Sequence, residues 1–174
     1  MSATAPLRPE ASEYAPYYEK YVSLVPDADL VETLERQGAE TLALLRGLTE
    51  EQGGHRYAPG KWSVKQLVGH VSDGERIFSY RALAIGRGDR QPLPGMEQDE
   101  YMAGVDFDAR TLSSLIDEFE AVRVATLHLL RHLSPEAWAR RGTASGNEVT
   151  VRALAYIIAG HEAHHVRILK ERYL

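Results

Sequence analysis

Val149 to Leu169 read VTVRALAYIIAGHEAHHVRIL. Val151, Leu154, Ile157, Ile158, Ile168 and Leu169 recur at helical spacing. The stretch is therefore expected to form the last helix, starting near Val149 with Asn147 as its cap and running to the C-terminus. On a wheel advancing about 100° per residue, with His161 at zero, these apolar side chains centre near +30°. His165 falls at about +40°, so it and His161 both lie inside the core-facing stripe, whereas His164 lies near −60°, at its edge. The i,i+4 spacing stacks two imidazoles on one face, as a shared metal ion requires. Two buried neutral imidazoles otherwise need hydrogen-bond partners, and charging both is costly. Satisfied core histidines, or a stripe that rolls toward solvent near the C-terminus, are the alternatives, and HxxxH alone is a short pattern.

Three more helix-length segments precede this one. The first runs from Leu30 to about Glu51, capped by Asp27 or Asp29 and stopped by Gly53-Gly54. Ser63 caps the second, which carries Val64, Leu67, Val68, Val71, Phe78 and Ile85 and ends at Gly86 or Gly88. Leu112, Leu115, Ile116, Phe119, Val122, Leu127 and Leu130 mark the third, and Ser134-Pro135-Glu136 opens a short extra turn with Trp138. Nothing alternates with period two over a strand's length. The expected fold is all-α, with helices near 30–51, 63–86, 110–132 and 149–172. Residues 88–109 form a loop of about 20 residues, long enough to return along a helix near 33 Å in length. Such a crossover lets helices two and three run parallel, unlike an up-down-up-down bundle. Pro6, Pro9, Pro16 and Pro26 exclude a long helix from residues 1–26. With Tyr14, Tyr17, Tyr18 and Tyr21, that segment reads as an arm packed on a domain of residues 27–174.

The 174 residues suit one domain with a single core, and 44% hydrophobic with 26% charged residues excludes a disordered chain. A formal charge of −5 and the lack of a basic cluster argue against nucleic-acid binding. There are no cysteines, which removes disulfides, thiolate metal sites and a cysteine nucleophile. No run approaches the roughly 18 apolar residues of a membrane span, and the first 15 residues lack the apolar core of a secretory signal. A cytoplasmic location is expected.

Two imidazoles make a weak metal site, and His70 in the second helix is the candidate third ligand. Its wheel position leaves the matter open, because the apolar centre of that helix lies roughly 90° away. An exposed helix histidine is the competing reading. Gly69 and Gly74 flank it at a cost of roughly 1 kcal/mol each, which makes sense where something bulky approaches the helix.

Lys61-Trp62-Ser63, then His70, Asp73 and Glu75, and finally Gly160-His161-Glu162-Ala163-His164-His165, together resemble the DinB/YfiT-like family of candidate metalloenzymes. The Tyr-rich arm and the long central loop extend the likeness over essentially the whole chain. The resemblance implies a four-helix bundle with a long crossover connection between helices two and three, usually dimeric. It also implies one divalent metal ion held by His70, His161 and His165, with open positions for water; His164 is second choice. Imidazole donors suit zinc or nickel first, with iron or another divalent ion as further options. Relatives of this fold include transferases and isomerases that use a low-molecular-weight thiol. The expected function is therefore a metal-dependent enzyme, a thiol-dependent S-transferase or hydrolase. The alternative is a non-catalytic, stress-associated metal-binding dimer.

Other marked residues have plainer expectations. Asp73 is a solvated carboxylate or hydrogen-bonds His70. Glu75, on the apolar side of its helix, pairs with Arg81 or another arginine, or else acts as a general base. Glu162 is expected to face solvent. His55, His128 and His132 read as surface residues, and Trp62 and Trp138 as packing anchors.

Overall fold

In the computed structural model, which describes residues 7–174, the chain enters through two 3₁₀ turns, Ala11–Glu13 and Pro16–Tyr18, and one helical turn, α1 (Glu19–Val22). Pro6 and the other five residues at the start of the expected arm lie outside the described residues. Arg8 holds this segment down, donating from Nη1 to Val22 O at 2.9 Å and from Nε to Asp27 at 2.7 Å. Tyr14, Tyr21 and Val22 are buried, and α1 lies against the last helix.

Asp29 accepts from the Glu32 amide and starts α2 (Leu30–Arg46). The expected helix through Glu51 breaks at Gly47, and Thr49 opens a new turn, α3 (Glu50–Gly54). The reason is local: threonine competes for backbone amides better as a cap than inside a helix, and Thr49 and Gln52 form a reciprocal capping box. Ser63 and Gln66 repeat that device at the start of α4 (Val64–Gly86). The long connection that follows holds α5 (Gln98–Ala103) and a 3₁₀ turn, Phe107–Ala109. Thr111 then caps α6 (Leu112–Arg131), and Ser134 caps the short α7 (Pro135–Ala139), which buries Trp138.

Among the described residues the departure from an all-helical chain is a small antiparallel hairpin, β1 (Arg141–Ala144) and β2 (Asn147–Thr150). Ser145 (φ 52°) and Gly146 (φ 74°) supply the two left-handed residues of a type I′ turn. Asn147 is thus a strand residue, not a helix cap, and α8 (Val151–Ile168) starts two residues later than expected, capped by Thr150. Leu93 from the long connection hydrogen-bonds along β1, to Thr143 O and from Ser145 N. A last wide turn, Leu169–Tyr173, closes the chain.

Helix α2 packs on α6 and α8, and α4 packs on the same two, so α2 and α4 stand diagonally. Pairings along α4 and α6 fix their direction. Ser63 meets Asp108 at one end, Glu75 meets Arg123 in the middle, and Gly86 approaches Leu133 at the other. These two helices run parallel, as the crossover requires. Gln37 with Ala159 and Arg123 with both Leu34 and Glu162 put α8 alongside α2. Helix α8 is enclosed on nearly every side, with Val151 and the whole run Ala153–Glu162 buried. Each fully buried Leu or Ile there contributes roughly 1.5–3 kcal/mol of transfer free energy. No helix among the described residues is long and apolar enough to cross a membrane.

Candidate metal centre

His70 projects from α4 and His161 and His165 from α8, and the contact between these two helices brings the three rings together. One ring nitrogen from each lies within 4.8 Å of the other two. His70 Nε2 stands 3.0 Å from His161 Nε2, and the ring centroids are 4.9, 4.9 and 4.6 Å apart. All three side chains are buried. Burial holds the His70 imidazolium down to a pKa of about 4. Burial, then the facing His70 and His164, lowers His165 to about 3. His161 is depressed well below the usual value by burial and by His165 and His70. At neutral pH the cluster is therefore uncharged, and each ring keeps a lone pair, the form in which imidazole binds a metal.

The donor set fits a divalent ion better than it fits a satisfied polar core. Among the described residues, the only hydrogen-bond-length contact made by these rings is the one between His70 and His161. His70 Nδ1 is buried with no hydrogen-bond partner among the described residues. Buried polar nitrogens aimed at one another, rather than at carbonyls or carboxylates, are costly without a cation between them.

Two glycines of α4, one on either side of His70 in sequence, make room for neighbouring rings. A Cβ on Gly74 would stand 2.8 Å from His161 Cε1, and one on Gly69 only 2.4 Å from the Phe107 ring. Around the cluster, Tyr21 meets His161 edge-on at 5.3 Å and Trp62 lies 4.8 Å from His70. Tyr173 donates to Trp62 O at 2.8 Å and so holds the indole segment in place. His164 stands outside the group of three, its ring 5.1 Å from that of His165 and 5.4 Å from that of Tyr21. A cavity of about 100 Å³ opens beside His70 and His161, lined by Tyr18, Tyr21, Phe78, Arg81 and Met96 among others.

Behind α8 lies a second buried cluster that the sequence reading did not assemble. Arg123 on α6 donates from Nε and Nη2 to the two oxygens of Glu75 at 2.9 and 2.8 Å, and from Nη2 to Glu162 at 2.7 Å. Its Nη1 reaches Leu34 O. Glu75 therefore pairs with Arg123 and not with Arg81. Glu162, expected at the surface, is fully buried. It lies on the one side of α8 where the α2–α6 seam covers it, and burial raises its carboxyl pKa despite the neighbouring Arg123. Arg123 sits among Phe119, Val122 and Thr126 on the inner face of α6, opposite Gly38. An arginine inside an apolar stripe was the available signal. Asp73 is half-buried beside Arg76, and burial raises its pKa. His55, His128 and His132 are exposed and take no part.

Residues 33–169 match the DinB superfamily. A protein of Oceanobacillus iheyensis named as a candidate metal-dependent hydrolase is 25% identical over 142 residues, covering 80% of this chain and 79% of its own. The solved structure of YfiT from Bacillus subtilis has a TM-score of 0.66 at 17% identity, over 94% of this chain and 89% of that one. It is described as a candidate metal-dependent hydrolase with an unusual four-helix-bundle topology. A mycothiol-dependent maleylpyruvate isomerase also has a TM-score of 0.66, at 16% identity. There the match covers 83% of this chain and 61% of the isomerase. At these identities the two structures speak for the fold.

Proposed function

The chain belongs to the DinB superfamily, and from that membership we propose a metal-dependent enzyme in which His70, His161 and His165 hold one divalent ion. The observation that carries the reading is the convergence of three buried, uncharged imidazoles that find no other hydrogen-bond partner among the described residues. Zinc or nickel is the first expectation for a three-imidazole donor set, with iron behind them. Once bound, such an ion keeps its full charge against neutral ligands and supplies Lewis acidity, acidifying a water or thiol at an open position.

The chain's own residues shape the rest of the site. Trp62 and Tyr21 wall the imidazoles from solvent and limit their rotation. Gly74 leaves room for the His161 ring, and the cavity beside His70 and His161 gives a small organic substrate access from one side. That access favours an enzyme over a non-catalytic, stress-associated metal-binding dimer. The reaction class is hydrolysis or transfer to a low-molecular-weight thiol, the latter supported by the mycothiol-dependent neighbour. A cytoplasmic homodimer completes the proposal; Tyr80 and Leu83, exposed and one turn apart on α4, offer an apolar contact for a second copy.

Elemental analysis of untagged protein tests the metal assignment. One ion per chain is expected in the wild type, with most of it lost in His70→Ala, His161→Ala and His165→Ala and little lost in His164→Ala. Equal metal content in wild type and His161→Ala would end the reading. A loss confined to His164→Ala and His161→Ala would put the wrong pair on α8. Screens with ester, amide and thiol-acceptor substrates then decide between the enzyme and a non-catalytic metal-binding protein.

A further inference from the structure

We propose that Arg81 is an anion anchor in the wall of the cavity, and that the substrate reaching the histidine cluster carries a carboxylate. Three basic side chains among the described residues are buried: Lys65, Arg81 and Arg123. Lys65 pairs with Glu50, and Arg123 is held by two carboxylates. Arg81, only 4% exposed, meets no carboxylate among the described residues, and residues 1–6 contain no acidic residue that could supply one. Its hydrogen bonds both leave from Nη2, to Pro94 O at 2.9 Å and to Ser145 Oγ at 3.1 Å. These two bonds fix the guanidinium in place but neutralise nothing. Nε–H and both Nη1 hydrogens have no hydrogen-bond partner among the described residues. A buried charge without a counter-ion is strongly disfavoured, and an anionic ligand removes the penalty.

The position of Arg81 gives the charge a purpose. It lines the same cavity as His70 and His161, with Phe78 between them. The Phe78 ring is 6.0 Å from that of His161 and 5.7 Å from the Arg81 guanidinium carbon. Gly74, beside His161, and Arg81 are two turns apart on α4, about 10 Å along the axis. A small organic acid spans that distance, with its carboxylate on Arg81, its apolar middle against Phe78, Ile77 and Met96, and its reacting group at the imidazoles. The positive charge and the unengaged Nε–H and Nη1 donors are the chemistry that recognises a carboxylate. Charge-assisted hydrogen bonds to a fixed arginine also orient the substrate before reaction. The inference rests on the enzymatic reading above, whereas anion binding at Arg81 is measurable without it.

The test uses the metal-loaded protein, with succinate as the anion and succinamide as its neutral counterpart, followed by calorimetry and by amide shifts at Met96, Ser145 and Gly146. Succinate is expected to bind at least tenfold more tightly than succinamide and to shift those amides. Arg81→Met should weaken succinate at least tenfold while metal content stays at the wild-type level, and Arg81→Lys should fall between. If Arg81→Met lowers the melting temperature but binds succinate like the wild type, Arg81 is only a strap for the loop and the proposal is overturned. Equal affinity for succinate and succinamide in the wild type overturns it as well, whether or not Arg81→Met folds. Wild-type protein that takes up no metal yet loses succinate on Arg81→Met would sink the metal reading and leave this one standing.

Discussion

His161 shows how tightly the centre is built. Its ring touches His70, lies edge-on to Tyr21 and occupies the space that a side chain on residue 74 would fill. Gly74→Ala is therefore predicted to act in two opposite ways. Alanine favours the helix by roughly 1 kcal/mol, but its Cβ displaces the imidazole. Metal affinity, measured by competition with a chelator, should fall by roughly 10- to 100-fold, the range for groups that orient a ligand. Unchanged affinity would mean that the ring adjusts freely. The same residues mark how far the sequence could be read. His161 and His165 were legible because both lie in the apolar stripe of α8. His70 was not legible from its wheel alone. Helix α4 packs against both α6 and α8, so its apolar centre averages two faces, and His70 lies on the α8 side, away from that average. Only the motif order Trp62-Ser63, His70, His161 and His165 singled it out.

Among the elements, the arginine that joins α4, α6 and α8 carries the largest single risk. Arg123→Met leaves Glu75 and Glu162 buried together without their cation, and is predicted to cost about 3–5 kcal/mol in denaturant unfolding. Replacing all three with apolar residues of similar volume should recover most of that loss; a cost as large in the triple variant would assign the effect to packing instead. The sequence placed Glu162 at the surface because a wheel records only one helix, and α8 has neighbours on nearly every side. A second junction ties the entry segment to α8. The Glu13 carboxylate accepts from Thr150 Oγ1 at 2.7 Å and from Arg152 Nε at 2.7 Å. Burial raises its pKa, but the bonds to Arg152, the Glu10 amide and Thr150 outweigh burial and bring it to about 2. Because the folded-state value lies below the unfolded one, this contribution is complete above about pH 4.5 and disappears as pH falls toward 2. Urea unfolding of wild type and Glu13→Gln should differ most at neutral pH and converge near pH 2–3; a constant difference would remove Glu13 as the cause. The hairpin that ends at Thr150 escaped the sequence reading because strands of four residues are too short to show alternation. Its Ser145-Gly146 turn was the only local signal.

Over the whole molecule, helical periodicity and one long connection were enough to give the bundle and its crossover. Apolar spacing located four helices, and the length of residues 88–109 allowed α4 and α6 to run parallel, as the Ser63–Asp108, Glu75–Arg123 and Gly86–Leu133 pairings now show. The break at Gly47–Thr49 was hidden because Leu48 continues the apolar pattern across it. In this architecture the two helices with the most buried residues, α4 and α8, meet where their histidines face one another, and the arm and Trp62 close the sides. A metal ion bound at that seam would stabilise the native state, so the loaded protein should melt higher than the chelated one. The most direct test of the central claim is X-ray absorption at the edge of the metal that purified protein carries. Three imidazole nitrogens around one ion per chain, falling to two in His165→Ala, is the predicted result. A spectrum with one imidazole or none, or one unchanged by His165→Ala, would contradict it.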